Sequence, residues 1–493
     1  MSSARLSVRD PHLGRPPGSP PHRASGIRQR ARRAQLVACI GVALTGCATG
    51  VPVGDADLVI RHVHVVDTET GATRRDHAIA IRHDTIIAIV PDRALGRTGT
   101  TTTIVDARGA YAIPGLWDAH VHVQQGGADA GARRAARLLG HGVTAARDMG
   151  ASLADRAAVT ARLAAPDADA PRLLAAGPTF WAFALPYGDA RAKVVITDTA
   201  TTRTAVDSVA AADVDFIKVY AGFTPDRLRL LVDAARRRGL TVAGHAQPGA
   251  TLEQQARLGL VTVEHLDFST LSECSPRADA YFERVIGARF RGSGESVPAL
   301  LAAFADEVDT DTCRAGLRRA ADAGLVLVPT LVTMYLARDD ALAAQARLVG
   351  DDAESCAIFL RDFDRADSST REAVPAAGRR LMRIVRDAGL PVLAGSDAPA
   401  FCAALGDGLV RELQLLAASG YTPLEVLQTA TLRPSTVLAG DATRGRLTPG
   451  HRADVLLLAR DPLTVPFAYA EPVGLWTRGR WRDAATLRAL RAR

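Results

Sequence analysis

The chain has 493 residues, of which 47% are hydrophobic and 23% charged, a balance typical of a globular protein with two domains or one large barrel. Residues 1–33 contain eight Arg and one Asp, which accounts for the whole formal net charge of +7. The rest of the chain is therefore electrically balanced and lacks the basic field that binding to phosphate backbones requires, so we exclude a nucleic-acid partner.

A basic leader and a short apolar stretch open the chain. The uncharged residues 34–46 are too few to span a bilayer, and charge followed by such a stretch is typical of a secretory signal. The stretch leads into Leu44-Thr-Gly-Cys47, which resembles a bacterial lipobox and implies cleavage before Cys47 and lipidation of its thiol. We predict that residues 1–47 are a signal peptide with a lipobox, and that the exported protein is lipid-anchored to a membrane and faces the periplasm. An ordinary signal peptide is the alternative.

Four cysteines remain after export, and they can form two disulfides in an oxidising compartment. Four cysteines allow three pairings, and the sequence does not choose among them. None of the four shows the spacing of a cysteine metal site. They are Cys274, Cys313, Cys356 and Cys402.

Both ends of the folded part are rich in short strands. Residues 48–56 are predicted to be a linker, and residues 57–111 alternate apolar and polar positions in several runs, which indicates a small antiparallel sheet. Residues 441–483 show the same pattern, and residues 484–493 are predicted to be a C-terminal tail. We expect the two ends of the chain to form one small β domain.

Between these ends, residues 112–440 alternate short apolar strands with helical stretches rich in Ala, Leu and Arg. Such alternation indicates parallel βα units, and eight of them predict a (β/α)8 barrel of the α/β class. Barrels of this kind carry their chemistry at the C-terminal ends of the strands. The predicted strands are 112–123, 143–149, 172–179, 215–221, 241–247, 261–267, 325–332 and 391–397.

Side chains that can bind a metal stand at those strand ends. His120 and His122 are two residues apart on strand one, so their imidazoles point to the same side and can share one metal ion. A single strand-end histidine is more often a satisfied buried group than a ligand, but a joint placement on five strands favours a metal site. The other candidate ligands are Lys218 on strand four, His245 on strand five, His265 on strand six and Asp397 on strand eight.

Lys218 is the most informative of these residues. The chain has only two lysines, Lys193 and Lys218, against 58 arginines, yet Lys218 stands among apolar neighbours where an unpaired ammonium is costly. Burial favours the neutral amine, which can take up carbon dioxide and become a carbamate that bridges two cations. A buried lysine paired with Asp397 or with a backbone carbonyl is the alternative.

With these residues in place, the chain resembles the amidohydrolase superfamily, which comprises metal-dependent hydrolases on a (β/α)8 barrel with a small β-sandwich domain. The resemblance extends from about Asp57 to Pro462. It is closest to the imidazolonepropionase-like branch that contains Xaa-Pro and Xaa-Arg/Lys dipeptidases. Beyond the ligands, the motifs that carry it are Ile113-Pro-Gly-Leu-Trp-Asp-Ala-His120, Gly142-Val-Thr-Ala-Ala-Arg-Asp148, Glu264-His265, Ala430-Thr431, Gly445-Arg-Leu-Thr-Pro-Gly450 and Ala453-Asp454.

The resemblance implies two divalent metal ions, and zinc suits a set of imidazole and carboxylate ligands. A hydroxide bridges the two ions in this scheme. Asp397 would accept the proton of that hydroxide and pass it to the leaving amine. Tyr220 would donate a hydrogen bond to the tetrahedral oxyanion, with ordinary packing as the alternative. The implied ligands are His120, His122 and Asp397 for one ion, His245 and His265 for the second, and carboxylated Lys218 between them.

These features predict a hydrolase that cleaves an amide-type C–N bond in a small molecule, such as a dipeptide, an N-acyl amino acid or a cyclic amide. Lactonases or esterases and mononuclear deaminases of the same superfamily are alternatives. The deaminases need a glutamate three residues after the strand-five histidine, and here that position is Pro248. A non-catalytic binding lipoprotein is the alternative from another class. A homo-oligomer is left open.

Three segments near the predicted barrel mouth are candidates for contact with substrate. The aromatic stretch that contains Trp181 and Tyr187 would either line an apolar pocket or pack on top of the barrel. The long connection 268–324 would form a lid or a partner surface. The segment 408–412 is expected to be a loop close to the substrate. In the imidazolonepropionase-like branch this segment often has a histidine, and here it has none.

Overall fold

The computed structural model describes residues 51–183, 189–220, 222–290, 293–348, 351–465 and 468–493. The predicted signal peptide with Cys47, and also Tyr187, lie outside the described residues. Within the described ranges, no helix is both long enough and apolar enough to cross a membrane.

The first part of the described chain is built of strands. Val51–Val53 falls in the predicted linker, and it pairs in parallel with Leu95–Thr98. β2, β3 and β4 form antiparallel pairs as predicted, but β6 and β7 both pair with β2 in parallel. The expectation of a wholly antiparallel sheet was therefore wrong, because the chain crosses over and returns along the free edge of β2. The strands are β1 (Val51–Val53), β2 (Leu58–Val66), β3 (Thr73–Arg82), β4 (Thr85–Pro91), β5 (Leu95–Thr98), β6 (Thr103–Asp106) and β7 (Tyr111–Pro114).

The middle of the chain alternates strands and helices. Its first half contains β8 (Leu116–Val121), α1 (Gly127–Gly140), β9 (Val143–Asp148), α2 (Leu153–Leu163), β10 (Arg172–Ala175), β11 (Thr179–Trp181), β12 (Lys193–Val195), α3 (Thr199–Ala211), β13 (Phe216–Val219), α4 (Pro225–Arg237), β14 (Thr241–His245), α5 (Leu252–Leu258) and β15 (Leu260–Glu264). Its second half contains α6 (Ala278–Phe290), α7 (Val297–Glu307), α8 (Thr310–Asp322), β16 (Val326–Val328), α9 (Leu331–Met334), α10 (Arg338–Gln345), α11 (Asp351–Phe363), α12 (Ser368–Ala388), α13 (Asp407–Ala418), α14 (Pro423–Thr429) and α15 (Leu432–Ala439).

The strands of this middle part run parallel in two groups, β10-β9-β8 and β12-β11-β13-β14-β15-β16. The amide of Asp215, next to β13, donates to the carbonyl of Ala175 in β10 at 3.0 Å, which connects the groups on one side. On the other side, single bridges join Val392 to Leu327 and Ala398 to Val121. The fold is thus α/β, and the strand order is consistent with a TIM-type barrel.

Four of the eight predicted strands differ from expectation. Residues 112–114 belong to β7 in the other sheet, and β8 begins at Leu116. Gly115 between them packs so closely on Thr144 that a Cβ would lie 2.2 Å from its hydroxyl. Predicted strand 172–179 ends at Ala175, with Thr179 in β11, and predicted strand 325–332 ends at Val328, with Leu331 in α9.

Segment 391–397 forms only isolated bridges. The backbone bonds that hold it include those from Ala119 to Ala394 at 2.9 Å and from Asp397 to His120 at 2.7 Å.

The C-terminal end returns to the sheet formed by the first strands. It contains β17 (Val455–Leu458), β18 (Pro472–Thr477), β19 (Arg480–Asp483) and α16 (Ala484–Arg491). β17 pairs with β7, so both ends of the chain build one sheet of eight strands. The predicted tail forms α16, which packs on α1 so closely that a Cβ at Gly140 would meet the backbone of Arg491 at 2.8 Å.

The four cysteines pair as Cys274–Cys313 and Cys356–Cys402. The first disulfide connects the start of the β15–β16 connection to α8. The second connects α11 to the segment that follows Asp397. Each disulfide thus joins two parts of the chain that lie outside the strands.

Segment 408–412 is not a loop near the substrate, which corrects the expectation from sequence. It lies inside α13, and Glu412 is completely buried. The carboxylate accepts hydrogen bonds from the backbone of Leu331 and from the amide of Val332, the latter at 2.9 Å. Glu412 thereby caps α9, whose N-cap residue Thr330 makes no capping bond with its own side chain.

Burial raises the pKa of Glu412 to about 8, so the folded chain holds this proton at neutral pH, whereas the unfolded chain releases it near the ordinary pKa of 4.5. The stabilising contribution is complete below pH 4.5 and is lost as the pH rises through about 8. We predict that Glu412→Gln, which cannot ionise, becomes more stable relative to wild type as the pH rises from 5 to 9. Over that range, the free energy of unfolding of the variant minus that of wild type should increase by on the order of 1–3 kcal/mol.

Urea unfolding at both pH values measures this difference. Glu372→Gln, an exposed position on α12, is the matched control and should show no such gain. Parallel pH profiles for wild type and Glu412→Gln would contradict the prediction.

Candidate metal centre

The six candidate ligands come together at the C-terminal ends of the strands. Lys218 lies in β13, His245 ends β14, and His265 follows β15 directly. Because these strands are parallel, their C-terminal ends meet on one side of the fold. A cavity of about 590 Å³ opens there, and all six residues line it together with Trp181 and Tyr220.

Asp397 is the centre of this group. Its Oδ1 lies 3.1 Å from Nε2 of His120 and 3.0 Å from Nε2 of His122. Its Oδ2 lies 3.9 Å from Nδ1 of His265. Potential ligand atoms of His120, His265 and Asp397 all lie within 4.8 Å of one another, close enough to hold a single cation.

Lys218 and His245 complete the group of six that lines the cavity. The Lys218 side chain is only 2% exposed, and neither its Nζ nor Nδ1 of His245 has a hydrogen-bond partner among the described residues. The alternative of a lysine paired with Asp397 or with a backbone carbonyl is therefore not what the structure shows. Buried polar atoms without partners are costly. A cation would be bound by the lone pair of His245 and by the oxygens of a carbamate, if Lys218 carried one.

The protonation states of these groups suit metal binding. Burial lowers the pKa of Lys218 to about 8, against the attraction of Glu264 and Asp397, so the neutral amine is accessible near neutral pH. Burial also lowers the pKa of His265 to about 3 and that of His245 well below its ordinary value, which leaves imidazole lone pairs free to bind a cation. Imidazole and carboxylate donors fit zinc and similar divalent ions.

His120 is oriented by a buried carboxylate that the sequence did not single out. Its Nδ1 contacts Oε2 of Glu264 at 2.9 Å, and Arg147 donates to Oε1 of Glu264 at 2.7 Å and to Thr262 at 2.9 Å. The guanidinium of Arg147 and the proximity of His120 hold the pKa of Glu264 far below its ordinary value despite burial. Nδ1 therefore donates to Glu264, and Nε2 points its lone pair to the cavity. Glu264 and Arg147 both lie in motifs that carry the resemblance to the family. Those motifs were the sequence signal that could have identified these two residues.

His265 is oriented by Thr330, for which the sequence offered no signal. The Thr330 hydroxyl lies 2.8 Å from Nδ1 of the ring. His265, Thr330 and Asp397 all have positive φ values, of 72°, 47° and 56°. Non-glycine residues rarely adopt this conformation, and at functional sites the surrounding structure compensates for the strain.

Tyr220 is fixed between two rings. The Trp181 ring stacks on it at 3.8 Å with an angle of 10° between the planes, and the His245 ring lies 4.0 Å away on the other side. The Trp181 indole donates to the hydroxyl of Thr179 at 2.7 Å. Both aromatic side chains therefore belong to the cavity wall, with Tyr220 next to the candidate ligands.

Comparison with known proteins agrees with this geometry. A model of the amidohydrolase family matches residues 111–482, which is most of the chain. A putative prolidase from Bifidobacterium longum has 23% sequence identity and a TM-score of 0.62, over 88% of this chain and 97% of that one. A prolidase crystallised with N-methylphosphonate-L-proline has 21% identity and a TM-score of 0.61, over 86% of this chain and 99% of that one. At 21–23% sequence identity, these two similarities show a shared fold.

A curated relative is similar only locally. Adenine deaminase of Ruegeria pomeroyi is 37% identical over 89 residues, which span 18% of this chain and 14% of that protein. The family match over residues 111–482 contains all six candidate ligands. The chain belongs to the amidohydrolase family.

Proposed function

We propose that this protein is a binuclear metal-dependent hydrolase that cleaves an amide-type C–N bond in a dipeptide, an N-acyl amino acid or a cyclic amide, on a closed (β/α)8 barrel. One observation carries the proposal. Lys218 Nζ and His245 Nδ1 are buried without partners among the described residues, and they line the same cavity as three further imidazoles and a carboxylate.

The proposed site would hold two zinc ions. His120, His122 and Asp397 would bind one of them, and His245 and His265 would bind the other. Lys218, carboxylated by carbon dioxide, would be a ligand that both ions share. The lowered pKa of Lys218 favours this modification, because only the neutral amine attacks carbon dioxide.

When bound, the two cations lower the pKa of a water molecule and polarise the scissile carbonyl. The chain's own residues supply the proton transfer. Asp397 remains ionised, since its contacts with the imidazoles of His120 and His122 hold its pKa well below the ordinary value despite burial. Its carboxylate accepts the proton of the attacking water and delivers it to the leaving nitrogen. Tyr220, clamped between Trp181 and His245, donates a hydrogen bond to the oxyanion.

A deaminase is the second candidate, because the curated relatives with local similarity are named adenine deaminase. Pro248 stands where the mononuclear deaminases of this superfamily need a glutamate, and the buried Lys218 argues for two cations. Release of ammonia from adenine or other nucleobases by the purified holoenzyme would favour the deaminase. Release of an amino acid from N-acyl amino acids or dipeptides would favour the amide hydrolase.

We also propose export to the periplasm with a lipid anchor on Cys47. The two disulfides support this location, since such bonds persist in oxidising compartments. Labelling with a radioactive fatty acid, and its loss in Cys47→Ser, tests the anchor.

Lys218→Ala should lower kcat/KM by much more than the roughly 100-fold that loss of an outer partner of a metal ligand costs. Short carboxylic acids such as acetate or propionate should restore part of the activity, because they can occupy the emptied space. Lys218→Met is the matched control, since its side chain fills that space and prevents rescue.

A second readout follows the carbamate itself. Wild-type protein in 13C-bicarbonate should show one carbamate carbon signal by NMR, and Lys218→Met should lack it, while Lys193→Met should retain it. Full activity in Lys218→Ala, or a carbamate signal that depends on Lys193, would contradict the proposal.

Thr330→Val should weaken metal retention by about 10- to 100-fold, because it removes the partner that orients the His265 ring. Competition with a chromogenic chelator measures this affinity. Thr202→Val is the matched control, since this buried hydroxyl donates to the Asp198 carbonyl and does not contact His265 or Thr330. Thr330→Ser should restore wild-type affinity. Equal affinity in Thr330→Val and wild type would show that Thr330 does not position the ligand.

A further inference from the structure

The cavity that contains the candidate metal ligands has one wall without polar side chains. It comes from the long connection after β15, which was predicted to form a lid or a partner surface. Part of it lines the cavity directly. We call this part the apolar wall, and it consists of Phe268, Phe282, Val285, Ile286, Val297 and Leu301.

The apolar wall is continuous with the candidate metal centre. Phe268 is three residues after His265 and lines the same cavity. Asp267, the residue before Phe268, also lines the cavity. One of its carboxylate oxygens accepts hydrogen bonds from the amides of Ser269 and Thr270, each at 3.0 Å.

The wall is held in place by packing and polar contacts behind it. The rings of Phe268, Tyr281 and Phe304 pack on one another with centroids 5.1–5.6 Å apart. The Tyr281 hydroxyl donates to Glu307 at 2.6 Å and so joins α6 to α7. The disulfide from Cys274 fixes the start of the same connection. The wall is therefore a built surface of the cavity.

The residues of the apolar wall differ in how exposed their side chains are, and therefore in how well a ligand can contact them. Phe268 and Leu301 are 3% and 2% exposed, whereas Phe282, Val285 and Ile286 on α6 are only partly buried. Their side chains offer no hydrogen-bond donor or acceptor, so a polar group placed against them would lose its water without replacement. An apolar group gains affinity there by about fourfold for each buried methylene.

The size of the cavity supports the same conclusion. At about 590 Å³ it lies in the range of sites that enclose a drug-sized ligand. The candidate ligands and the apolar wall line this one cavity, so it has room for a substrate larger than two small residues.

We propose that the apolar wall is a subsite for a bulky aliphatic or aromatic group next to the scissile amide. The substrate class is then amides that carry such a group, for example N-acyl amino acids with a medium-length acyl chain or dipeptides with a large apolar residue. This inference rests on the proposed amide hydrolysis. It adds a specificity that hydrolysis alone does not require.

The test uses the zinc-loaded enzyme and a series of N-acyl amino acids from acetyl to octanoyl, with Gly- and Phe-containing dipeptides as a second series. In wild type, kcat/KM should rise by about fourfold per added methylene until the cavity is filled. Ile286→Asn should lower kcat/KM for the octanoyl substrate by at least tenfold and change that for the acetyl substrate by less than twofold. Asp279→Asn, an exposed position on the same helix, is the matched control and should behave as wild type.

Ile286→Val and Phe282→Leu keep the wall apolar and provide milder versions if Ile286→Asn does not fold. Each variant should reduce the preference for long acyl chains, as Ile286→Asn does, but by a smaller factor. Hydrolysis of the whole series without dependence on chain length, or a preference for charged groups, would overturn the apolar subsite and leave the proposed hydrolysis standing.

Calorimetry separates the two proposals when no substrate is cleaved. Octanoyl compounds that bind tenfold or more tightly than acetyl compounds, with the difference lost in Ile286→Asn, would support the subsite and refute amide hydrolysis. Equal or undetectable binding of all members would overturn the subsite.

Discussion

The site depends on the burial of one amine. Lys218 stands inside a parallel strand with its Nζ removed from water and without a hydrogen-bond partner among the described residues. A buried polar atom without a hydrogen-bond partner destabilises the folded chain, so it persists only where a bound group satisfies it or where function requires it. Four imidazoles and a carboxylate line the same cavity, and we propose that cations shared with a carboxylated Lys218 satisfy this atom. Arginine cannot replace lysine here, because it stays charged and does not form a carbamate.

The ligands keep their orientation through partners outside the cavity. Glu264 holds the His120 ring from behind, and Thr330 holds the His265 ring. At the start of α9, Glu412 on α13 accepts the amide hydrogen bond of Val332, whereas the Thr330 hydroxyl contacts the imidazole of His265. Residues that do not line the cavity thus orient the imidazole rings of the candidate ligands.

The sequence was sufficient to predict the α/β fold class and the six candidate ligands that line one cavity, because strand ends are readable from apolar runs and the rare Lys218 stands out in an arginine-rich chain. It was not sufficient for interactions that depend on register and close packing. Segment 391–397 forms only isolated bridges. Residues 112–114 belong to the other sheet, since the apolar run continues from β7 into β8 and hydrophobicity does not mark the passage from one sheet to the next. Glu412 was expected near the substrate, although it is buried against α9, because the periodicity of α13 does not show which neighbour a buried carboxylate meets.

The central claim is that this cavity holds two cations bridged by modified Lys218. Metal analysis by mass spectrometry on protein purified in the presence of zinc and bicarbonate tests it most directly, with activity measured on the same samples. The account predicts two zinc ions per chain, and activity that reaches its full value only when both are bound. A fully active protein with one metal ion per chain would contradict it.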